Sequence, residues 1–318
     1  EAAFSRVVPK ISPDCIILLN LFRDQLDRYG EIDDIAGKWL RTLKNHARNA
    51  EVLINADDPH LVYVGENIPQ TVHYFGLEDK DLSSQSMQHA VDSIYCPRCS
   101  QRLTFGGVYF AHLGRWTCGK CKLTHPDVVI RASDVHAPLE GLYNIYNTLA
   151  AVLASEYLGI ERSVASEKLR SFSPAFGRLE TLQYRGTRVR LLLSKNPTGM
   201  NESIRTMMES DDRGPVLFVL NDRIPDGRDI SWIWDVDFEV LTKLKDLKVY
   251  ASGDRAFDLA VRLKYADVRL GDKNVFLDLA CGLKTVSENT SADETLWILP
   301  TYSAMLDIRK IITGKKIA

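Results

Sequence analysis

Long apolar runs are missing from this sequence, and no stretch approaches the ~20 residues that a membrane-spanning helix needs. Long runs of lysine or arginine are missing too, and the formal net charge is −2, whereas nucleic-acid-binding domains usually carry a basic stripe. The opening residues, Glu1-Ala2-Ala3-Phe4, do not resemble a signal peptide. These absences favour a cytoplasmic protein with no transmembrane segment and no nucleic-acid partner.

Cysteine is scarce, with six residues in the 318-residue chain. Cys15 and Cys281 stand alone in the sequence, which does not fit a secreted disulfide scaffold. We expect both to lie in the core as small apolar residues.

The other four cysteines form two C-x-x-C pairs with eighteen residues between the pairs: Cys96/Cys99 and Cys118/Cys121. This spacing is typical of a zinc ribbon, which we place at about 93–128. A four-cysteine site is closed to water and substrate, so the predicted zinc is structural. We expect a hairpin with its turn at Gly106-Gly107, and we interpret His112, His125 and His136 as surface residues rather than ligands.

Strands and helices alternate before and after the ribbon, which is typical of parallel α/β sheets. In the first part we predict strands at 14–20, 52–55 and 61–65, and helices at 31–50 and 141–158. The ribbon is then an insertion into this sheet domain. A domain seldom begins at a buried central strand, so we expect a further segment upstream of Glu1.

The stretch Ser171-Phe172-Ser173-Pro174 is typical of a domain boundary, which divides the chain into 1–171 and 172–318. Beyond it the alternation restarts, and we predict a second, Rossmann-like α/β domain. Its predicted elements are strands at 189–193, 216–220, 247–251 and 297–299, and helices around 201–210, 256–264 and 302–312.

Four polar stretches are too particular for a pure scaffold: NLFRDQLDRYG at 20–30, GLYNIYN at 141–147, FGRLE at 176–180 and SKNPTG at 194–199. The first follows a buried strand, where open α/β sheets bind ligands. In this order they resemble the Mur ligase superfamily, the ATP-dependent peptide and amide ligases of cell-wall synthesis. With the ribbon and LNDRIPDGRDISWIWD at 220–235, the resemblance narrows to the MurT family and covers nearly the whole chain.

The resemblance implies a Mur ligase-type central parallel-sheet domain that carries the ribbon, followed by the C-terminal α/β domain. It also implies a ligase subunit that works with a GatD-type glutaminase on lipid II. ATP, with magnesium, phosphorylates the α-carboxylate of D-glutamate, and ammonia from the partner attacks the acyl phosphate to give D-isoglutamine.

The same resemblance implies roles for five residues. Asn144 and Asn147 match positions near the adenine, or Asn144 is a helix cap. Arg178 matches a phosphate-contacting arginine, or forms a salt bridge. Lys195 matches a lysine that reaches the nucleotide or acyl phosphate, or is a solvated lysine. Asp229 matches the acid that completes the catalytic triad of the glutaminase, or caps a turn.

Asp226 and Asp235 are the other acids of that element, and we prefer Asp229 because it immediately precedes the ISWIW anchor. Lys38 matches the lysine that many Mur ligases carbamylate, with a plain surface lysine as the favoured interpretation. Glu1 matches a magnesium-binding glutamate.

The sequence departs from the superfamily in three places. No G-x-x-x-x-G-K-[ST] loop, which cradles phosphates, occurs in these residues, so we expect it upstream of Glu1. Gln25 stands where many Mur ligases have a metal-binding histidine, and Leu193 where an aspartate often contacts the nucleotide.

Two other functions remain open at this point. One is a nucleic-acid-binding module, because the ribbon has a local basic cluster: Arg98, Arg102, Arg115, Lys120 and Lys122. The other is a non-enzymatic interaction module in which only the Asp229 surface matters.

Overall fold

The computed structural model describes residues 3–24, 30–84, 87–88, 91–172 and 178–315. The chain divides into two units, Glu1–Ser173 and Pro174–Ala318. The elements of the first unit are α1 (Phe4–Ile11), β1 (Cys15–Leu18), α2 (Ile32–His46), β2 (Glu51–Asn55), α3 (Pro59–Glu66), β3 (Val72–Phe75), β4 (Thr104–Phe110), β5 (Leu113–Thr117), α4 (Leu142–Tyr157) and α5 (Arg162–Arg170).

The first unit is built on a parallel sheet in the order β1-β2-β3. Alternate residues of the central strand face opposite layers, as the two-residue period of a strand requires. Val52 and Ile54 pack with α1, α2 and α3, whereas Leu53 packs with α4. All three side chains are almost fully buried, so the carboxyl end of β2 is held firmly in place.

The predicted strand at 61–65 is wrong, because these residues lie in α3. Asp58 caps this helix by accepting hydrogen bonds from the backbone N–H groups of His60 and Leu61, and Pro59 occupies its first turn. Burial on most sides removed the helical periodicity from the sequence pattern. The third strand is β3, further along the chain.

Strands β4 and β5 form the antiparallel hairpin of the ribbon, but its predicted turn is wrong. Gly106 and Gly107 lie inside β4, and the chain turns at Ala111-His112, where Ala111 has a positive φ of 47°. A close approach requires glycine at Gly114 instead, since a Cβ there would meet the carbonyl oxygen of Gly107 at 2.2 Å.

The second unit contains a six-stranded sheet in the order β10-β9-β8-β11-β7-β6, parallel except for the β6–β7 pair. The four predicted strands and three predicted helices are confirmed, while β6, β10 and α8 were not predicted. Its elements are β6 (Arg178–Tyr184), β7 (Thr187–Leu192), α6 (Pro197–Glu209), β8 (Val216–Val219), β9 (Val249–Ser252), α7 (Ala256–Tyr265), β10 (Val275–Phe276), α8 (Leu279–Glu288), β11 (Thr295–Pro300) and α9 (Tyr302–Thr313).

Cys15 and Cys281, the two isolated cysteines, were both expected in the core, and the structure differs from that expectation in part. Cys15 is half-buried, but Cys281 is exposed, so its assignment to the core is wrong. It lies in the first turn of α8, where its backbone N–H donates to the capping side chain of Asp278.

Across the described ranges, no helix has the length and apolar character that a bilayer span requires.

Candidate functional site

The four cysteines of the ribbon converge on one point. Their Sγ atoms all lie within 4.8 Å of one another, and the Cys96–Cys121 and Cys99–Cys118 pairs are each 3.5 Å apart. Metal–sulfur bonds of about 2.3 Å in a tetrahedron require sulfur–sulfur distances of about 3.8 Å. The predicted ligands therefore fit a tetrahedral metal ion.

The two knuckles that present these thiols have the same local structure. The backbone N–H of Ser100 donates to the carbonyl of Cys96, and that of Lys122 donates to the carbonyl of Cys118. Both Ser100 and Lys122 have a positive φ. In the second knuckle, the backbone N–H of Cys121 lowers the pKa of the Cys118 thiol to about 6, whereas burial raises the pKa of the Cys96 thiol in the first knuckle to about 12. These shifts oppose each other, so the fit to a metal ion rests on the positions of the four sulfurs.

The ribbon packs against the sheet unit through Trp116, which is buried with Val62 of α3. The Trp116 indole N–H donates to the carbonyl oxygen of Ala56, at 3.2 Å. Two of the five basic ribbon residues form ion pairs with acids of the same unit: Arg98 with Glu66 and Arg115 with Glu78.

Two ribbon histidines are buried, so their interpretation as surface residues is wrong. Nε2 of His125 lies 2.8 Å from Oδ1 of Asp57, and Nε2 of His112 lies 3.5 Å from Oδ2 of Asp58. Each histidine is buried against a carboxylate at the end of β2. His136 is exposed, as expected.

Asp57 and Asp58 are fully buried and were not singled out in the sequence. Burial opposes ionisation of Asp58, but its hydrogen bond to His112 and the charges of His112 and His60 outweigh that effect and lower its pKa. The available signal was the tetrapeptide Asn-Ala-Asp-Asp directly after a buried strand, where parallel sheets place ligand-binding groups.

The segment that follows β1 contacts these residues. The backbone N–H of Leu21 donates to Asp58, and Arg23 pairs with Asp92, which lies just before the ribbon. Gln25 falls outside the described residues, as does Glu1. Lys38 is exposed on α2.

Asn144 and Asn147 come together on α4. Asn144 is buried, and its amide donates to the carbonyl of Glu140 at 2.6 Å. Asn147 is exposed, and its amide donates to Oδ1 of Asn144 at 3.3 Å. The helix begins after Gly141, whose φ of 94° favours glycine, so Asn144 is not the N-cap residue.

In the second unit, Lys195 is exposed immediately before α6. Asn196 caps that helix by accepting a hydrogen bond from the backbone N–H of Gly199 at 2.7 Å, and Pro197 occupies its first turn. This cap fixes the backbone beside Lys195. Arg178 begins β6, but its side chain lies outside the described residues, together with residues 173–177.

Two acids of the loop after β8, Asp226 and Asp229, lie in different environments. Asp226 is buried and accepts hydrogen bonds from the backbone N–H and the hydroxyl of Ser303, so it is committed to the start of α9. Asp229 is exposed and accepts a hydrogen bond from the backbone N–H of Ser231 at 2.8 Å. That bond lowers the pKa of Asp229 and favours its ionised form.

Two tryptophans follow Asp229 in a short 3₁₀ turn, Ser231–Asp235. Trp232 packs against the core of the unit, whereas Trp234 is 46% exposed. The ring of Trp234 makes an edge contact with Tyr265 of α7, with centroids 5.6 Å apart.

Comparisons with known proteins give matches along most of this chain. Residues 2–155 match the family model of the Mur ligase middle domain, and residues 193–305 match that of the MurT ligase C-terminal domain. A curated protein of Streptococcus pneumoniae R6, named lipid II isoglutaminyl synthase (glutamine-hydrolyzing) subunit MurT, is 31% identical over 100% of this chain and 74% of its own. The chain belongs to the MurT family.

A MurT subunit of the same name from Staphylococcus aureus COL is 29% identical, over 85% of this chain and 64% of its own. The sequence therefore spans about two thirds to three quarters of these curated MurT proteins. Asn144, Asn147 and the four cysteines lie in the part that matches the Mur ligase middle domain, and Lys195 and Asp229 lie in the part that matches the MurT C-terminal domain.

Solved structures show the same fold as this MurT family member. A pseudomurein peptide ligase type C from Methanothermus fervidus matches with a TM-score of 0.71 and 18% identity, over 98% of this chain and 65% of its own. The MurF ligase of Thermotoga maritima, solved in complex with ADP, matches with a TM-score of 0.61 and 14% identity, over 98% of this chain and 64% of its own. The chain thus has a Mur ligase-like α/β fold with parallel sheets and a four-cysteine cluster.

Proposed function

We propose that this chain is the ligase part of a lipid II isoglutaminyl synthase that amidates the α-carboxylate of D-glutamate in lipid II. The observation that carries this proposal is the 31% identity to a MurT subunit of that name along the whole sequence. The Mur ligase-like fold supports the use of ATP. Such a reaction belongs on the cytoplasmic side of the membrane, where ATP is available.

In the proposed reaction, an oxygen of the substrate carboxylate attacks the γ-phosphorus of ATP, and ADP leaves. Ammonia then attacks the carbonyl carbon of the acyl phosphate, loses a proton, and expels inorganic phosphate to leave the amide. Phosphoryl transfer depends mainly on positioning and on neutralisation of negative charge. Magnesium is the cation that would accompany the phosphates.

We assign the adenine to Asn144 and Asn147, because an amide offers both a donor and an acceptor to a base edge. The exposure of Asn147 leaves its side chain accessible to a ligand. We assign Lys195 and Arg178 to the phosphates, where a point charge and a planar guanidinium both suit the chemistry. The metal of the ribbon is proposed to be zinc with a structural role, because four thiolates leave no open coordination position.

We assign Asp229 to the catalytic triad of a glutaminase partner of the GatD type. It is exposed and its low pKa favours a carboxylate, which suits an acid that orients the histidine of another protein. Exposed apolar side chains in the turn after Asp229 and on α7 support a protein partner for this unit: Trp234, Phe257, Val261 and Tyr265. Aromatic residues are enriched at such interfaces.

A nucleic-acid-binding ribbon is less well supported. Arg98 and Arg115 are already paired with glutamates, which reduces the positive charge that phosphate recognition needs. The amidation assay distinguishes the ligase from an interaction module that has no catalytic activity.

The test uses the full open reading frame of the gene, mixed with a GatD-type glutaminase, ATP, magnesium, glutamine and lipid II. Mass spectrometry measures conversion of the acid to the amide. We expect Asp229→Asn to abolish amidation from glutamine and to retain it from ammonium chloride. The exposed Asp246 of the same unit provides a matched control as Asp246→Asn, which should behave as wild type.

Amidation from neither nitrogen source by a protein with an intact phosphate loop would overturn the proposed reaction. Equal loss from both sources in Asp229→Asn would overturn the assignment of Asp229 to the triad.

A further inference from the structure

Asp57 and Asp58 are adjacent carboxylates, and each contacts one ribbon histidine. Asp57 also contacts α4, which carries Asn144 and Asn147, and Asp58 also contacts the segment after β1. Both acids lie directly after β2 and are fully buried. Consecutive residues after a strand point in different directions, so the pair reaches two elements from one point of the backbone. The metal ribbon and the proposed nucleotide site are thereby connected through two short polar paths.

The Asp57 path leads to α4. Its Oδ1 lies 2.8 Å from Nε2 of His125, which follows the second cysteine knuckle by four residues. Its Oδ2 accepts a hydrogen bond of 2.6 Å from the hydroxyl of Tyr146 and another from the backbone N–H of Leu77. Tyr146 lies between Asn144 and Asn147 in the sequence of α4, so this path reaches the helix that carries the residues assigned to adenine.

The Asp58 path leads to the segment after β1. Its Oδ2 accepts a hydrogen bond of 2.8 Å from the backbone N–H of Leu21 and lies 3.5 Å from Nε2 of His112. The His112 ring also packs against Phe22, with centroids 4.9 Å apart. This path therefore holds the start of the polar stretch 20–30.

Within the described residues, the imidazole rings of His112 and His125 make these polar contacts and no other hydrogen bond. Nδ1 of His112 and Nδ1 of His125 are buried without a hydrogen-bond partner there. Burying an imidazole ring with one nitrogen unbonded costs free energy. We therefore expect the single contact that each ring makes, to a buried carboxylate, to have a specific role. Burial of the ring alone would be satisfied by an apolar side chain.

We propose that His112 and His125 are positioning residues, through which the metal-bound ribbon holds the segment after β1 and helix α4 in their nucleotide-binding arrangement. The inference rests on the proposed function for the role of Asn144 and Asn147 in binding ATP. On this proposal the ribbon stabilises more than its own fold. Loss of the ribbon would also disturb α4, through Asp57 and Tyr146.

The test uses the full-length protein, loaded with zinc. The variants are His125→Ala, His125→Gln, which retains a donor, and Tyr146→Phe, which removes one hydroxyl and leaves the ribbon contacts intact. His73 is a control, because its ring also contacts a carboxylate, that of Glu51, at 2.8 Å, but this pair is part-exposed and joins β3 to β2. Readouts are ATP affinity by calorimetry, amide hydrogen exchange in α4, and zinc content.

We expect His125→Ala and Tyr146→Phe each to weaken ATP binding about tenfold, the cost of one lost buried hydrogen bond. Exchange in α4 should rise while the zinc content is unchanged. His125→Gln should recover most of the affinity, and His73→Ala should match wild type.

Unchanged ATP affinity and unchanged α4 exchange in a folded, zinc-loaded Tyr146→Phe protein would overturn the inference, even if His125→Ala failed to fold. Wild-type protein that binds ATP but does not amidate lipid II would instead contradict the proposed function, and the binding and exchange measurements would still decide this inference.

Discussion

The guanidinium carbon of Arg262 lies 5.7 Å from the centre of the Trp234 ring. Arg262 is 4% exposed although it is charged, and it donates to the backbone carbonyls of Ile233 and Val236. It also pairs with Glu239. One arginine of α7 therefore fixes the backbone of the turn that follows Asp229.

Replacing Arg262 with methionine should loosen this turn, because the apolar stem remains while the donors to two carbonyls are lost. We expect the free energy of unfolding to fall by about 2 kcal/mol, a typical cost of losing charged hydrogen bonds. Glutamine-dependent amidation should fall more than ammonia-dependent amidation. Urea unfolding and the mass-spectrometric assay measure the two effects.

Lys264 provides the control, since it is exposed two residues away on the same helix. Lys264→Met should change neither quantity. Equal loss of both amidation reactions in Arg262→Met would contradict the prediction, because it would show that Arg262 has no specific effect on the glutamine-dependent reaction.

The pKa of Asp229 is lowered first by the backbone N–H of Ser231 and then by its hydroxyl. A lowered pKa in the folded state means that the ionised form contributes stability above the ordinary value of about 3.9, and that this contribution is lost as the pH falls through the folded pKa. Carbon NMR of labelled aspartate should show a midpoint below the ordinary value. Asp229→Asn identifies the resonance.

The two donors can be separated by substitution at Ser231. Ser231→Ala keeps the backbone N–H and should raise the pKa only partly. A midpoint that returns fully to the ordinary value in Ser231→Ala would contradict the leading role of the backbone N–H.

The sequence predicted the ribbon correctly because metal-ligand spacing is a local property of the chain. It did not predict the docking of the ribbon, because His112 and His125 meet their aspartates across 54 and 68 residues. The buried strand before Asp57 was predicted, but nothing in the spacing identified its partners.

The two errors in local structure have a shared cause. The apolar run 61–65 has no helical period because α3 is buried on most sides. The Gly106-Gly107 pair suggested a turn, but both residues lie inside β4. In each case a tertiary contact outweighed a local preference.

Removal of the metal should unfold or loosen the ribbon, because formation of the site and folding are coupled. After chelation we expect a lower melting temperature and faster amide exchange over residues 93–128, both restored by added zinc. Cys281→Ser is the control, since that exposed thiol lies outside the cluster, and it should keep its metal. A stripped protein that retains its melting temperature and activity would contradict a structural role.

Substitution of Asn144 and of Asn147 should affect protein stability differently, although both should weaken nucleotide binding. Asn144 is buried and donates to Glu140, so Asn144→Ala should lower the free energy of unfolding by about 1–3 kcal/mol as well as weaken ATP binding. Asn147 is exposed and its amide makes a long hydrogen bond to Asn144, so Asn147→Ala should change stability little.

If Asn147 binds the base, its removal should still weaken ATP binding about tenfold, as expected for one or two lost hydrogen bonds. The affinity for inorganic pyrophosphate, which lacks the base, should be unchanged in Asn147→Ala. Ser155, a half-buried residue two turns further along α4, supplies the control as Ser155→Ala. Equal weakening of ATP and pyrophosphate binding in Asn147→Ala would move this residue from the adenine to the phosphates.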